Sequence, residues 1–152
     1  MITTYDFLPD GQKWFLAFDP NGSNKPLRQV SGHGRAEYDE AVARLADRNV
    51  DVWTARAGFA EDAKTRAFKS VVGVKCYSID IDIEPSGMKG ASPCYGTQED
   101  ALQALLQLRK DNVIPRISAL VSSGYGLHVW WMLDEVLPAD LWLAGAKNLK
   151  QN

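Results

Sequence analysis

Val71-Val72-Gly73-Val74-Lys75-Cys76-Tyr77-Ser78-Ile79-Asp80-Ile81-Asp82-Ile83-Glu84 is the most strand-like run of the chain, and its second half alternates strictly. Residues two apart in an extended strand point to one face. Tyr77, Ile79, Ile81 and Ile83 therefore form an apolar side that can pack under helices, and Ser78, Asp80, Asp82 and Glu84 form the other. Aspartate is disfavoured in strands, so two of them on one face require a reason. Their backbone positions are about 7 Å apart, and like charges this close repel unless a cation sits between them. Mg2+ and Mn2+, hard ions that take oxygen ligands, are the natural neutralisers. The plain alternative is an edge strand whose polar side is in water.

Downstream, Pro85-Ser86-Gly87 ends the run and a loop with Lys89-Gly90 leads to Tyr95. A helix is predicted over 97–110. Thr97 can cap its first turn with Asp100 in the capping-box position, and Arg109 and Lys110 suit its negative end. Ala101, Leu105 and Leu108 make its apolar face, with Leu102 and Leu106 beside them. Pro115 precedes a strand from Arg116 to Ser122. The turn Ser123-Gly124-Tyr125-Gly126 joins it to a second strand, Leu127 to Leu133, as a hairpin. Leu127, Val129 and Trp131 share one face of that strand, and His128, Trp130 and Met132 the other. Pro138 opens a final amphipathic helix with Leu141, Trp142 and Leu149.

Upstream, residues 14–18 read as a buried strand and Asp19-Pro20-Asn21-Gly22 as a turn. Gly22 to Arg35 reads as a long loop. Tyr38, Ala41, Val42 and Leu45 predict a helix capped near Asn49. Asp51 to Ala55 is a short strand, and 58–70 a mobile, basic-leaning loop with Lys64, Arg66 and Lys69. The pattern is α/β in the α+β sense, with strand–helix–strand–strand at its centre. One domain is expected over 1–152, with an N-terminal section spanning residues 1–50 and a core section spanning residues 51–152.

Composition excludes several classes. At 45% hydrophobic and 24% charged, the 152 residues are neither disordered nor fibrous. Seventeen Lys and Arg against nineteen Asp and Glu give a net charge of −2, which excludes a uniformly basic nucleic-acid coat but leaves room for a local basic groove. Two cysteines, Cys76 and Cys94, make neither a disulfide framework nor a four-cysteine zinc site, and point to a reducing compartment. Two histidines, His33 and His128, exclude histidine-rich metal sites. There is no signal-peptide pattern, no apolar run long enough to span a bilayer, no repeat and no low-complexity tract. A cytoplasmic location without a membrane partner is expected.

The hairpin carries a second constellation. Gly124 and Gly126 let backbone amides turn towards an anion, Ser122 and Ser123 add hydroxyl donors, and His128 emerges just past them. Taken singly, the glycines are an ordinary turn and the histidine a hydrogen-bonded structural residue. The helix 97–110 links the acidic strand to the hairpin, so a right-handed crossover can bring Asp80, Asp82 and His128 onto one sheet face. Metal-holding carboxylates beside a donor-rich turn suit a nucleoside triphosphate. Trp53, Trp131 and Trp142 read as core. Trp130 and Tyr125 read as base-stacking groups, and join Lys64, Arg66 and Lys69 as nucleic-acid-binding candidates.

Asp80-Ile81-Asp82 followed by Ser123-Gly124-Tyr125-Gly126-Leu127-His128-Val129 resembles motifs I and II of the archaeo-eukaryotic primase superfamily, which includes the primase–polymerases. The tract from Tyr95-Gly96-Thr97-Gln98 through Ala104-Leu105 and Pro115 to Asp134-Glu135 is similar to the primase domains of phage and plasmid replication proteins. The resemblance implies an RNA-recognition-motif-like mixed sheet with helices on one face as a catalytic core. It implies a nucleotidyltransferase that joins nucleoside triphosphates on a single-stranded DNA template in DNA replication, with Mg2+ or Mn2+. Asp80 and Asp82 would hold the metal and, with His128, be catalytic. Ser123, Gly124, Gly126 and His128 would hold the triphosphate. A helicase domain or other segments of a longer replication protein would be partners.

The family's third motif is an acidic residue on a strand after the helix that begins near Pro138, and Asp134, Glu135 and Asp140 come too early for it. A truncated core is therefore expected, a piece of a longer protein or a reduced relative. The competing expectation is a non-catalytic relative that binds nucleotide or single-stranded nucleic acid. A third reading, a metal-dependent nuclease or a replication-initiator nicking domain, is disfavoured, because a nicking site needs paired histidines and a nucleophilic tyrosine on a helix and the sequence offers neither.

Overall fold

The structure, a computed structural model, describes residues 3–20, 27–48, 50–83, 94–122 and 126–149. They form two compact units, Met1–Lys75 with Asp134–Asn148, and Cys76–Leu133 with Leu149–Asn152. Two long strands, β5 (Val71–Asp82) and β7 (Gly126–Leu137), run from one unit into the other. The division falls within these strands. The architecture is α+β, an open antiparallel sheet with three α-helices among the described residues.

In the first unit, β1 (Lys13–Phe18) is buried at five of its six positions, so it reads as a continuous apolar run rather than an alternation. It pairs antiparallel along its whole length with β2 (Arg28–His33), from Lys13 opposite His33 to Phe18 opposite Arg28. β2 falls where a loop was expected. Its polar, half-exposed side chains carry no strand signal, and backbone pairing with β1 alone makes it a strand. On the other side of β1 lie β3 (Val52–Thr54) and β4 (Gly58–Phe59), and β4 in turn pairs with the start of β5.

The stretch 58–70 is ordered rather than a mobile loop. Phe59 packs edge-on against Phe15 at 4.9 Å between ring centroids. The Ala60 amide donates to the Ser70 carbonyl at 2.9 Å, and the Lys13 ammonium donates to the Glu61 and Ala63 carbonyls at 3.0 and 2.9 Å. These partners are distant in sequence, which is why local composition missed them.

Helix α1 (Gly34–Ala46) buries Tyr38, Ala41 and Leu45, as its periodicity predicts, and is capped at Asp47; Asn49 lies outside the described residues. The Tyr38 ring meets Tyr5 and Trp14 at 5.3 and 5.4 Å, and its hydroxyl is 2.6 Å from Thr54 Oγ1. Because Val52 and Thr54 face α1, strand alternation turns Trp53 outward. It is 46% exposed, not core. Leu16 and Leu45, each at most 2% exposed, contribute about 1.5–3 kcal/mol apiece through burial. Helix α3 (Ala139–Leu149) follows Pro138 as expected, with Trp142 half-buried and Leu141 exposed.

In the second unit the strand order is β5–β7–β6, with β6 (Ala119–Ser122) shorter than expected and antiparallel to β7. Helix α2 (Gln98–Lys110) starts at Thr97, whose hydroxyl oxygen accepts from the Asp100 amide at 3.1 Å. Ala101 and Leu105 of α2 pack with Leu127, Val129 and Trp131 of β7 and with Tyr77, Ile79 and Ile81 of β5.

A charged clamp ties the N-terminal turn of the first unit to α1. Arg35 donates to the Asp6 carboxylate at 2.8 Å and to the Thr3 hydroxyl at 2.9 Å, and stands 5.5 Å from the Tyr5 ring. The Thr3 amide, joined by Arg35, holds the Asp6 carboxyl below its ordinary value. The stabilisation is complete above the unfolded-state value and is lost as pH falls through the lowered folded-state value. Asp6→Asn is therefore expected to melt below the parent protein at neutral pH, and the difference to vanish in acid. Thermal melts across pH check this, and a constant difference would remove Asp6 from the acid response.

Candidate functional site

Alternation in β5 sends Tyr77, Ile79 and Ile81 under α2 and leaves Asp80 and Asp82 exposed. In β7 the same rule buries Leu127, Val129 and Trp131 and turns His128 away from the helix. β5 and β7 are neighbours, so the two polar sides share one sheet face. On it, His128 Nε2 stands 3.9 Å from Asp80 Oδ1, with the side chains 40% and 57% exposed. An ion pair this open to water, formed only when the imidazole is protonated, contributes about 0–1 kcal/mol. Folding energy does not account for placing these two groups together.

Gly126 sets the spacing of the two strands. A Cβ added there would run into the backbone carbonyl oxygen of Ile81, between the two aspartates in sequence. Close strand approach is therefore reason enough for glycine at this position. Ser123, Gly124, Tyr125 and Glu84 lie outside the described residues.

Two residues to which the sequence assigned no site role brace this region. Gln98 Nε2 donates to Ser122 Oγ at 3.0 Å, tying the first turn of α2 to the end of β6. The Tyr95 amide donates to the Asp82 carbonyl at 3.2 Å, and Tyr95 bridges Ile83 in parallel. Gln98 carried only the signal of a polar residue beside a cap. Tyr95 entered the sequence reading only as the start of the tract that carries the resemblance, and its pairing with Asp82 has no local signal.

The other expected nucleic-acid contacts differ in exposure. Trp130 is 8% exposed, so its ring is not offered for stacking; it sits mid-strand opposite Ala119. Lys64, Arg66 and Lys69 are exposed in the first unit. Asp80 and Asp82 supply two carboxylates, the hard oxygen donors that suit Mg2+ or Mn2+. Among the described residues, no group of three or more His, Cys, Asp or Glu side chains stands close enough to share an ion. No described helix is long and apolar enough to cross a membrane.

The chain matches no family model, no curated protein and no solved structure.

Gly126→Ala is expected to force β7 off β5, with a stability loss of about 1–3 kcal/mol typical of overpacking. The imidazole of His128 should move away from Asp80 with it. Denaturant melts and the His128 ring NMR shifts check both, and an unchanged spectrum would show that the close approach is not required.

Proposed function

We propose that this chain is the core of a template-directed nucleotidyltransferase of the primase–polymerase kind, joining nucleoside triphosphates on single-stranded DNA. The observation that carries the reading is the adjacency of Asp80 and His128 on one open sheet face, where folding energy gives no reason for it. The order β5–α2–β6–β7 and the antiparallel sheet agree with the RNA-recognition-motif-like core that the motifs imply.

Each residue has a role that its position allows. Asp80 and Asp82 would hold a divalent ion, which when bound neutralises charge on the triphosphate and the attacking oxygen. His128, at the start of β7, would donate a hydrogen bond to a phosphate oxygen. Gly126 fixes the distance between imidazole and carboxylate by letting β7 lie against Ile81. Gln98 and Ser122 hold the far side of the hairpin steady.

Mn2+ titration should show binding to the parent protein that is lost in Asp80→Ala/Asp82→Ala. Equal binding by both would end the metal reading. Nucleotide affinity should depend on the metal and fall in His128→Ala with the fold intact. A charge-assisted hydrogen bond is worth about 1.5–3 kcal/mol, so the loss should be roughly 10- to 150-fold. Unchanged affinity would leave His128 a structural residue. Metal-dependent binding with no extension of a primed template, by this chain and by a longer form carrying a third acidic residue alike, would instead favour the non-catalytic relative.

A further inference from the structure

The second unit has a cleft of about 480 Å³ at the C-terminal end of α2, lined by Leu106, Arg109, Lys110, Ile114, Pro115 and Arg116. Three of these residues are cationic and none is acidic. Arg109 and Lys110 alone have a plain explanation, since cations in a last helical turn stabilise the helix dipole. Arg116 does not share it, because it lies beyond the helix. The chain reverses at Asn112, whose φ of 57° is in the left-handed region. The Asn112 amide donates to the Arg109 carbonyl at 3.1 Å and the Val113 amide to the Leu108 carbonyl at 2.9 Å. This is the Schellman closure, with asparagine in the position glycine usually takes. It brings Arg116 back beside the last turn and occupies carbonyls that would otherwise repel an anion there.

The cations also lack the obvious neutraliser. Asp111 sits among them in sequence, yet both its carboxylate oxygens accept from Gln107 Nε2, at 2.9 and 2.8 Å. No side chain of Arg109, Lys110 or Arg116 has an ion pair or hydrogen bond among the described residues. Arginine and lysine donate hydrogen bonds and accept none. The complementary ligand is therefore an anion rich in acceptors, and two guanidinium forks suit phosphate oxygens. Leu106, Ile114 and Pro115 add apolar surface, which suits the sugars and bases attached to a phosphodiester.

We infer that this cleft binds the phosphodiester backbone of single-stranded nucleic acid. The inference stands on the cleft and does not depend on the roles of Asp80, Asp82 and His128. The volume is within the range of ligand sites.

The test is binding of a fluorescent oligodeoxythymidine without divalent ions or nucleotides, so its outcome is separate from that of the Mn2+ titration. Salt dependence is measured for the parent protein, for Arg109→Gln/Arg116→Gln, and for Arg44→Gln/Arg48→Gln. The last pair removes the same charge near the end of α1. Each phosphate neutralised in a single strand contributes about 0.7 to the slope of log affinity against log salt, so the cleft variant should lose about 1.4 and bind several-fold more weakly. The α1 variant should keep the parent slope. Equal slopes for the parent and the cleft variant overturn the inference, as does an equal loss in the α1 variant, which would mean bulk charge. Displacement of the strand by oligoglutamate of matching length as readily as by unlabelled oligodeoxythymidine would also overturn it, since an acidic peptide would then serve equally.

Discussion

Everything proposed for the acidic face depends on one place where a side chain is missing. Gly126 opens β7 against the Ile81 carbonyl, and no other residue could stand there without pushing the strands apart. Ile81 lies between Asp80 and Asp82, and His128 is two residues beyond Gly126, on the same side of its strand. The contact therefore fixes the register that puts an imidazole 3.9 Å from a carboxylate. A one-residue slip would turn His128 under α2 and bring Leu127 or Val129 to the open face.

The packing beneath enforces that register. Leu127, Val129 and Trp131 share their cluster with Tyr77, Ile79, Ile81 and the buried side of α2. Moving either strand by one residue would bury an aspartate or histidine among these groups, a cost of several kcal/mol for a charge without a partner. The polar face is thus held by its apolar reverse. The Trp131 indole donates to the Pro115 carbonyl at 3.1 Å, which also fastens the segment entering β6.

Much of this is legible in the chain. Period-two alternation in residues 77–83 and 127–131 defines both faces, and the Thr97 cap marks the start of α2. Elements whose partners are distant are not legible. β2 has no alternation because β1 supplies its pairing. Trp53 reads as core because a large aromatic usually is, yet its neighbours Val52 and Thr54 occupy the buried side of a three-residue strand. Trp130 shows the reverse error, since a place on the polar face of a strand does not make it accessible. Gly126 reads as a turn residue. Sequence does not distinguish that role from close approach, because both forbid a Cβ.

The net charge of −2 conceals a separation of sign within the second unit. The first turn of α2 is tied to Ser122 by Gln98, and Ser122 pairs with Leu127 beside His128. At about 1.5 Å of rise per residue, Arg109 lies about 17 Å along the helix from Gln98. That exceeds the screening length of about 8 Å at physiological salt. Helix α2 therefore acts as an insulating spacer as well as a cover for the core. Were Arg109 or Arg116 within reach of Asp80, the opposite charges would pair and the cleft would lose a cation. The 13-residue length of α2 keeps the acidic face available to a cation and the cleft available to an anion, so each can be removed by mutation without altering the other.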